Sequence, residues 1–127
     1  MKLNIDCVRD VLLQCEEIPL NGKLSFKELV ALLSGYSEDD LTYTCIKLHE
    51  AGYLSIVYID YKGKEKHVSS ISDISFQGHE FLNNIKDSSV WNNIKNVGSK
   101  VGATSISAFT QIATGVITAL IKSQLGL

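Results

Sequence analysis

The stretch YSEDDLTYTCIKLHEAGYLSIVYIDYKGKEKHVSSISDI, Tyr36 to Ile74, decides the fold. Ser37 stands before Glu38, Asp39 and Asp40. A hydroxyl at the cap and acids in the first turn satisfy the free N–H groups of a helix start and offset its positive end. Gly52 closes the helix, because a residue without Cβ enters the left-handed conformation at no steric cost. Leu41, Cys45, Leu48 and Ala51 recur at helical spacing as the expected buried face, leaving Asp39, Thr42, Tyr43, Lys47 and Glu50 outside. Tyr53 to Ile59 is then rich in β-branched and aromatic residues, Lys62-Gly63-Lys64 turns the chain, and His67 to Ile74 returns. A helix running straight into a hairpin reads as the second half of a winged helix-turn-helix, so the expected class is α+β.

The flanking sequence agrees with that reading. Ile5, Val8, Val11, Leu12 and Cys15 recur as the apolar stripe of a first helix, with Asn4 placed to cap it. Pro19 ends this helix, Asn21-Gly22 turns, and Lys23-Leu24 supplies a short first strand. Ser25 and Glu28 form a capping box for a second helix whose stripe is Phe26, Leu29, Val30 and Leu33. After the hairpin, Ser75 caps a fourth helix that packs Phe76, Phe81, Leu82 and Ile85 on the first. The pair Ser88-Ser89 caps a fifth, anchored by Trp91 beside Val90, Ile94 and Val97. The expected division is a winged-helix domain over residues 1–87 and a C-terminal helical extension over 88–127.

That extension carries the second informative segment. From Ala103 to Ile121 there are 19 consecutive residues without a charge, between Lys100 and Lys122. Such a helix nearly spans a hydrocarbon core. It also carries a polar stripe, Ser107, Gln111, Thr114, Thr118 and Lys122, opposite an apolar face of Ile106, Phe109, Ala113, Val116, Ile117 and Leu120. The stripe favours a protein interface over a span, so those six residues are the expected oligomer-interface set. Membrane insertion and docking on the chain's own core are the alternatives.

Composition narrows the function classes. The 127 residues are 45% hydrophobic and 20% charged, with a net charge of -2 and an isoelectric point near 5.9. One compact core is expected, and no global basicity draws it to nucleic acid. Cys7, Cys15 and Cys45 make no CxxC pair, as reduced core thiols in a cytoplasmic protein would. His49, His67 and His79 show neither HxxxH nor HExxH spacing, and no Gly-rich phosphate loop or GxSxG motif is present. The expectation is therefore no catalytic residue, no metal, no cofactor and no small-molecule substrate.

The segments GYSEDDLTYTCIKLHEAGYL and ISFQGHEFLNNIKDSSVW resemble a family of small bacterial and prophage proteins catalogued as a domain of unknown function. The likeness spans Met1 to Val97. More distantly, the S-x-x-x-[LI]…L-x-x-AGYL cadence is similar to winged-helix transcriptional regulators. The resemblance implies a winged fold and a phage-linked setting, and supplies no catalytic residues. Two functional expectations follow. One is a DNA-binding regulator that oligomerises through its last helix, touching DNA weakly with Tyr43, Thr44 and Lys47 on the third helix and Lys62, Lys64 and Lys66 on the wing. The other is a protein-interaction or phage-defence module whose apolar tail assembles into a homo-oligomer, meets a phage or host protein, or enters a membrane.

Overall fold

The structure, a computed structural model, describes residues 1–60 and 65–127. Along these residues run α1 (Ile5–Cys15), β1 (Leu24–Ser25), α2 (Phe26–Leu32), α3 (Glu38–Glu50), β2 (Leu54–Asp60), β3 (Lys66–Ile74), α4 (Phe76–Ile85), α5 (Ser88–Val101) and α6 (Ile106–Gln124). The class is α+β, as expected. The expected turn residues Lys62, Gly63 and Lys64 lie outside the described residues.

Local chemistry sets the helix starts. Asn4, Ser25, Ser37 and Ser75 each accept a backbone N–H three residues on, from Cys7, Glu28, Asp40 and Gly78, at 3.0–3.2 Å. The start of α5 differs from the sequence reading. Its cap is Asp87, whose Oδ1 accepts from Val90 N at 2.9 Å and from Ser89 Oγ at 2.7 Å. A carboxylate one residue earlier takes the place expected of the Ser88-Ser89 pair. The Val90 N–H that it accepts, first, and then the Ser89 hydroxyl hold the Asp87 carboxyl below its ordinary range.

The strands order β1-β3-β2, all antiparallel. Leu24 and Ser25 pair with Ile71 and Ser70, so the short β1 closes the free side of β3. On the other side β2 pairs from Leu54↔Ile74 to Asp60↔Lys66, with irregularities after Ser55 and Val57. Under the sheet, the apolar faces of α1, α3 and α4 meet in one cluster that also takes in Trp91, Ile94, Ile106, Phe109 and Ala113. The core therefore runs on across Asp87 into α5 and α6.

Several positions depart from the expected packing. Phe76 is 74% exposed rather than packed on α1. It lies in the first turn of α4 at a position facing solvent, and the buried place in that turn belongs to Gly78. An added Cβ at Gly78 would lie 2.4 Å from the Tyr53 carbonyl oxygen, so only glycine admits this approach of α4 to the start of β2. Ala51 is exposed at the end of α3, and of the α2 stripe only Leu29 is fully buried.

Trp91 is the anchor that the sequence implies. It is 3% exposed, and its Nε1 donates to Asp6 Oδ1 at 3.0 Å, joining α5 to α1. Lys95 Nζ reaches the same oxygen at 3.1 Å. Arg9 donates from Nε to the Ile85 carbonyl at 2.9 Å and from its guanidinium to that of Lys86, satisfying orphan acceptors at the end of α4. Partial burial raises the Asp6 carboxyl, but hydrogen bonds from Trp91 and Lys95 and the charges of Lys95 and Arg9 outweigh it. The net result is a carboxyl below its ordinary value.

Two consequences are testable. Gly78→Ala should lower the urea-unfolding free energy by about 2 kcal/mol or more through overpacking against fixed backbone. Gly115→Ala, at an open helical position with nothing within 4 Å, should raise it by up to about 1 kcal/mol. Equal effects would contradict the close approach at Gly78. For Asp6, a depressed folded pKa means stability that is present above the unfolded value of about 3.9 and lost as pH falls through the folded value. The stability gap between the protein and Asp6→Asn should be constant above about pH 5 and close below about pH 4. A gap that widened on acidification would contradict the clamp.

Candidate functional site

The third helix was the expected reading element, and its outward chemistry is acidic. Glu38, Asp39, Asp40 and Glu50 stand against Lys47 along α3. Lys47 Nζ is engaged at 2.9 Å by Glu50 Oε2 and lies 5.3 Å from the centre of the Tyr43 ring. The hydrogen bond with Glu50, first among the causes, raises the Lys47 ammonium and lowers the Glu50 carboxyl. Thr44, expected to touch DNA, is fully buried. The spacing Leu41, Thr44, Cys45, Leu48 is itself an i, i+3, i+4, i+7 stripe, and α3 turns it toward α1, so Thr44 cannot reach a phosphate.

The Thr44 hydroxyl is the one buried side-chain oxygen among the described residues without a hydrogen bond of ordinary geometry. It faces the Cys7 sulfur, a weak partner. Burial pushes the Cys7 thiol up to about 11 against the effect of that hydroxyl, and pushes Cys15 up to about 12. Cys45 is raised in the same way, by burial first. All three thiols are free, buried and protonated at neutral pH, and a protonated buried thiol is a poor nucleophile.

Two clefts flank α3, and Tyr43 lines both. The first, about 540 Å³, is bounded by the N-terminal arm, by Tyr43, Lys47 and Ala51, and by the start of α6. The second, about 510 Å³, lies between α3 and β3. There Lys66, an expected DNA contact, shares the lining with Glu38, Asp39 and Glu65. The wing candidates Lys62 and Lys64 fall outside the described residues. Among the described residues, no group of three or more His, Cys, Asp or Glu side chains is placed to hold a metal.

The expected oligomer set on α6 divides in two. Ile106, Phe109 and Ala113 are buried in the chain's own core, so they are not available to a second copy. The crossing is made close by Gly98 of α5, where an added Cβ would lie 2.6 Å from the Phe109 ring. Tyr53 adds a hydrogen bond from its hydroxyl to Thr110 Oγ1, 2.8 Å. Val116 and Ile117 are half-buried, and Leu120 is 42% exposed. Beyond it Ile121, Leu125 and Leu127 are open to solvent.

The polar stripe Ser107, Gln111, Thr114, Thr118 and Lys122 is exposed throughout. Thr110, Thr114 and Thr118 donate to carbonyls one turn back, at 2.7–3.0 Å, which spends their donors on the helix itself. By length and composition α6 is the one described helix that could cross a membrane, with a mean hydropathy of 1.3.

A family model described as a hypothetical protein, DUF2513, matches residues 2–104. The chain belongs to that family. A protein of Haemophilus influenzae, itself named only as uncharacterized, is 29% identical over 123 residues, covering 95% of this chain and 99% of its own. No solved structure matches. The expected likeness to a domain of unknown function is matched to that extent. The DUF2513 segment ends at residue 104, within the loop between α5 and α6, so it carries α1 to α5 and both α3 faces.

Thr44 lies inside that segment and gives a direct test of its role. Thr44→Val keeps the shape and removes an unpaired buried hydroxyl, and should raise the unfolding free energy by about 1 kcal/mol. A loss of more than about 1 kcal/mol in urea unfolding would show that the Cys7 contact is a true hydrogen bond.

Proposed function

We propose that this protein is a non-enzymatic, winged-helix interaction module that pairs with a second copy through the outer half of α6. The order α1-β1-α2-α3-β2-β3, with β1 closing on β3, supports the winged-helix reading. One observation carries the assembly reading: a single apolar stripe is half docked and half free. Ile106, Phe109 and Ala113 are used inside, Val116 and Ile117 are half-buried, and Leu120 is 42% exposed, with Ile121 and Leu125 open at the helix end.

Covering a Leu-sized side chain contributes about 1.5–3 kcal/mol. Two antiparallel copies of the free half would cover each other's. A membrane span needs the whole of α6, and would have to pull Phe109 and Ala113 out of the core. This makes pairing in water the better use of the helix. The regulator reading keeps the exposed Lys66 in its favour, against four acids on α3.

Sedimentation of the full chain tests the proposal. Ile117→Glu or Leu120→Glu should weaken self-association at least about tenfold, since an unpaired carboxylate in an apolar interface costs several kcal/mol. Thr114→Glu on the polar stripe should change it little. A monomer at every concentration, or equal effects of the two kinds of substitution, would overturn pairing by this face. Flotation with liposomes would move the helix to a membrane role, and salt-sensitive retardation of a DNA duplex would restore the regulator.

A further inference from the structure

We infer that the first cleft beside α3 binds a small amphipathic anion, an apolar body ending in a carboxylate or a similar group. This site stands apart from pairing through α6. Its volume of about 540 Å³ falls in the range of small-molecule sites, about 300–1,000 Å³. Leu3, Ile106 and Phe109 give it apolar walls, and the latter two belong to the fixed core. An apolar cleft with a few convergent polar groups is the common form of a small-ligand site.

Charge selects the sign of the ligand. Lys2 and Lys47 are among the lining residues, and none of those residues is an acid, in a chain whose acids outnumber its lysines and arginines. The neighbouring cleft on the other side of Tyr43 is an internal contrast. It is nearly as large, yet Glu38, Asp39 and Glu65 line it. Two clefts of similar size therefore differ in charge, and the one with the apolar walls is cationic. Glu50, just outside the lining, holds Lys47 Nζ at 2.9 Å. An incoming carboxylate would compete with Glu50 for that ammonium, so Glu50 sets a ceiling on affinity.

Titration calorimetry of the full chain with sodium decanoate, decanol and decyltrimethylammonium tests this. Decanoate should bind saturably at one site, more tightly than decanol, and the cationic amphiphile should bind weakest. Lys2→Met with Lys47→Met should weaken decanoate about tenfold and leave decanol unchanged. Ala51→Leu, which narrows the cleft from an exposed position, should weaken both. Glu50→Gln should strengthen decanoate a few-fold, a gain that misfolding cannot imitate. No saturable binding of decanoate up to about 1 mM, equal binding of the two ionic amphiphiles, or indifference to Ala51→Leu would overturn the assignment.

Discussion

The rest of the structure hangs on the backbone turn at Gly52 and Tyr53. Gly52 has φ +82°, which lets the chain leave α3 and enter β2 across only three residues. Tyr53 N–H donates to the Leu48 carbonyl at 2.8 Å, and the Tyr53 carbonyl accepts Ser75 N–H at 3.0 Å. The Ser75 hydroxyl donates to the Gly52 carbonyl at 2.6 Å while also capping α4. One corner thus fixes the end of α3, the starts of β2 and α4, and the register of the hairpin that returns to it. Gly78 allows the corner to close, and the Tyr53 side chain extends it to Phe81 and Thr110.

That corner explains why α6 belongs to the core at one end and not at the other. Its first two turns meet α5 at Gly98 and Trp91 and meet Tyr53 at Thr110, and there its apolar residues are buried. The helix is 19 residues long, and at about 1.5 Å per residue it outruns the surface that supports it. Past Ala113 burial of the same stripe falls away, with Val116 and Ile117 half-buried and Leu120 42% exposed. Ile106 and Phe109 at the start of this helix line the first cleft, so α6 contributes a wall to the cleft and a free face to solvent.

Much of this was legible in the chain. Ser25, Ser37, Ser75 and Gly52 are local signals that act within four residues, and each marks the boundary that it implies. The stripe of α1 and the anchoring role of Trp91 follow from spacing and size. What could not be read is which partner a face meets. Periodicity gives α6 an apolar side but not the point at which the chain's own core stops covering it. Thr44 was readable in principle, since it completes the stripe of Leu41, Cys45 and Leu48, but a hydroxyl on a helix is easily assigned to solvent. The first cleft left no sequence signal, because its lining comes from three segments that only the fold brings together.

The central claim is a helix divided between its own core and a second copy, and amide hydrogen exchange along α6 at low and high protein concentration tests it most directly. The account predicts that amides hydrogen-bonded around Phe109 to Ala113 are strongly protected at both concentrations, because their opening requires undocking from the core. Amides from about Ile117 onward should exchange fast when dilute and become protected as concentration rises. Uniformly weak protection along all of α6 would contradict the docked half, and protection of the outer half that ignores concentration would contradict the pairing.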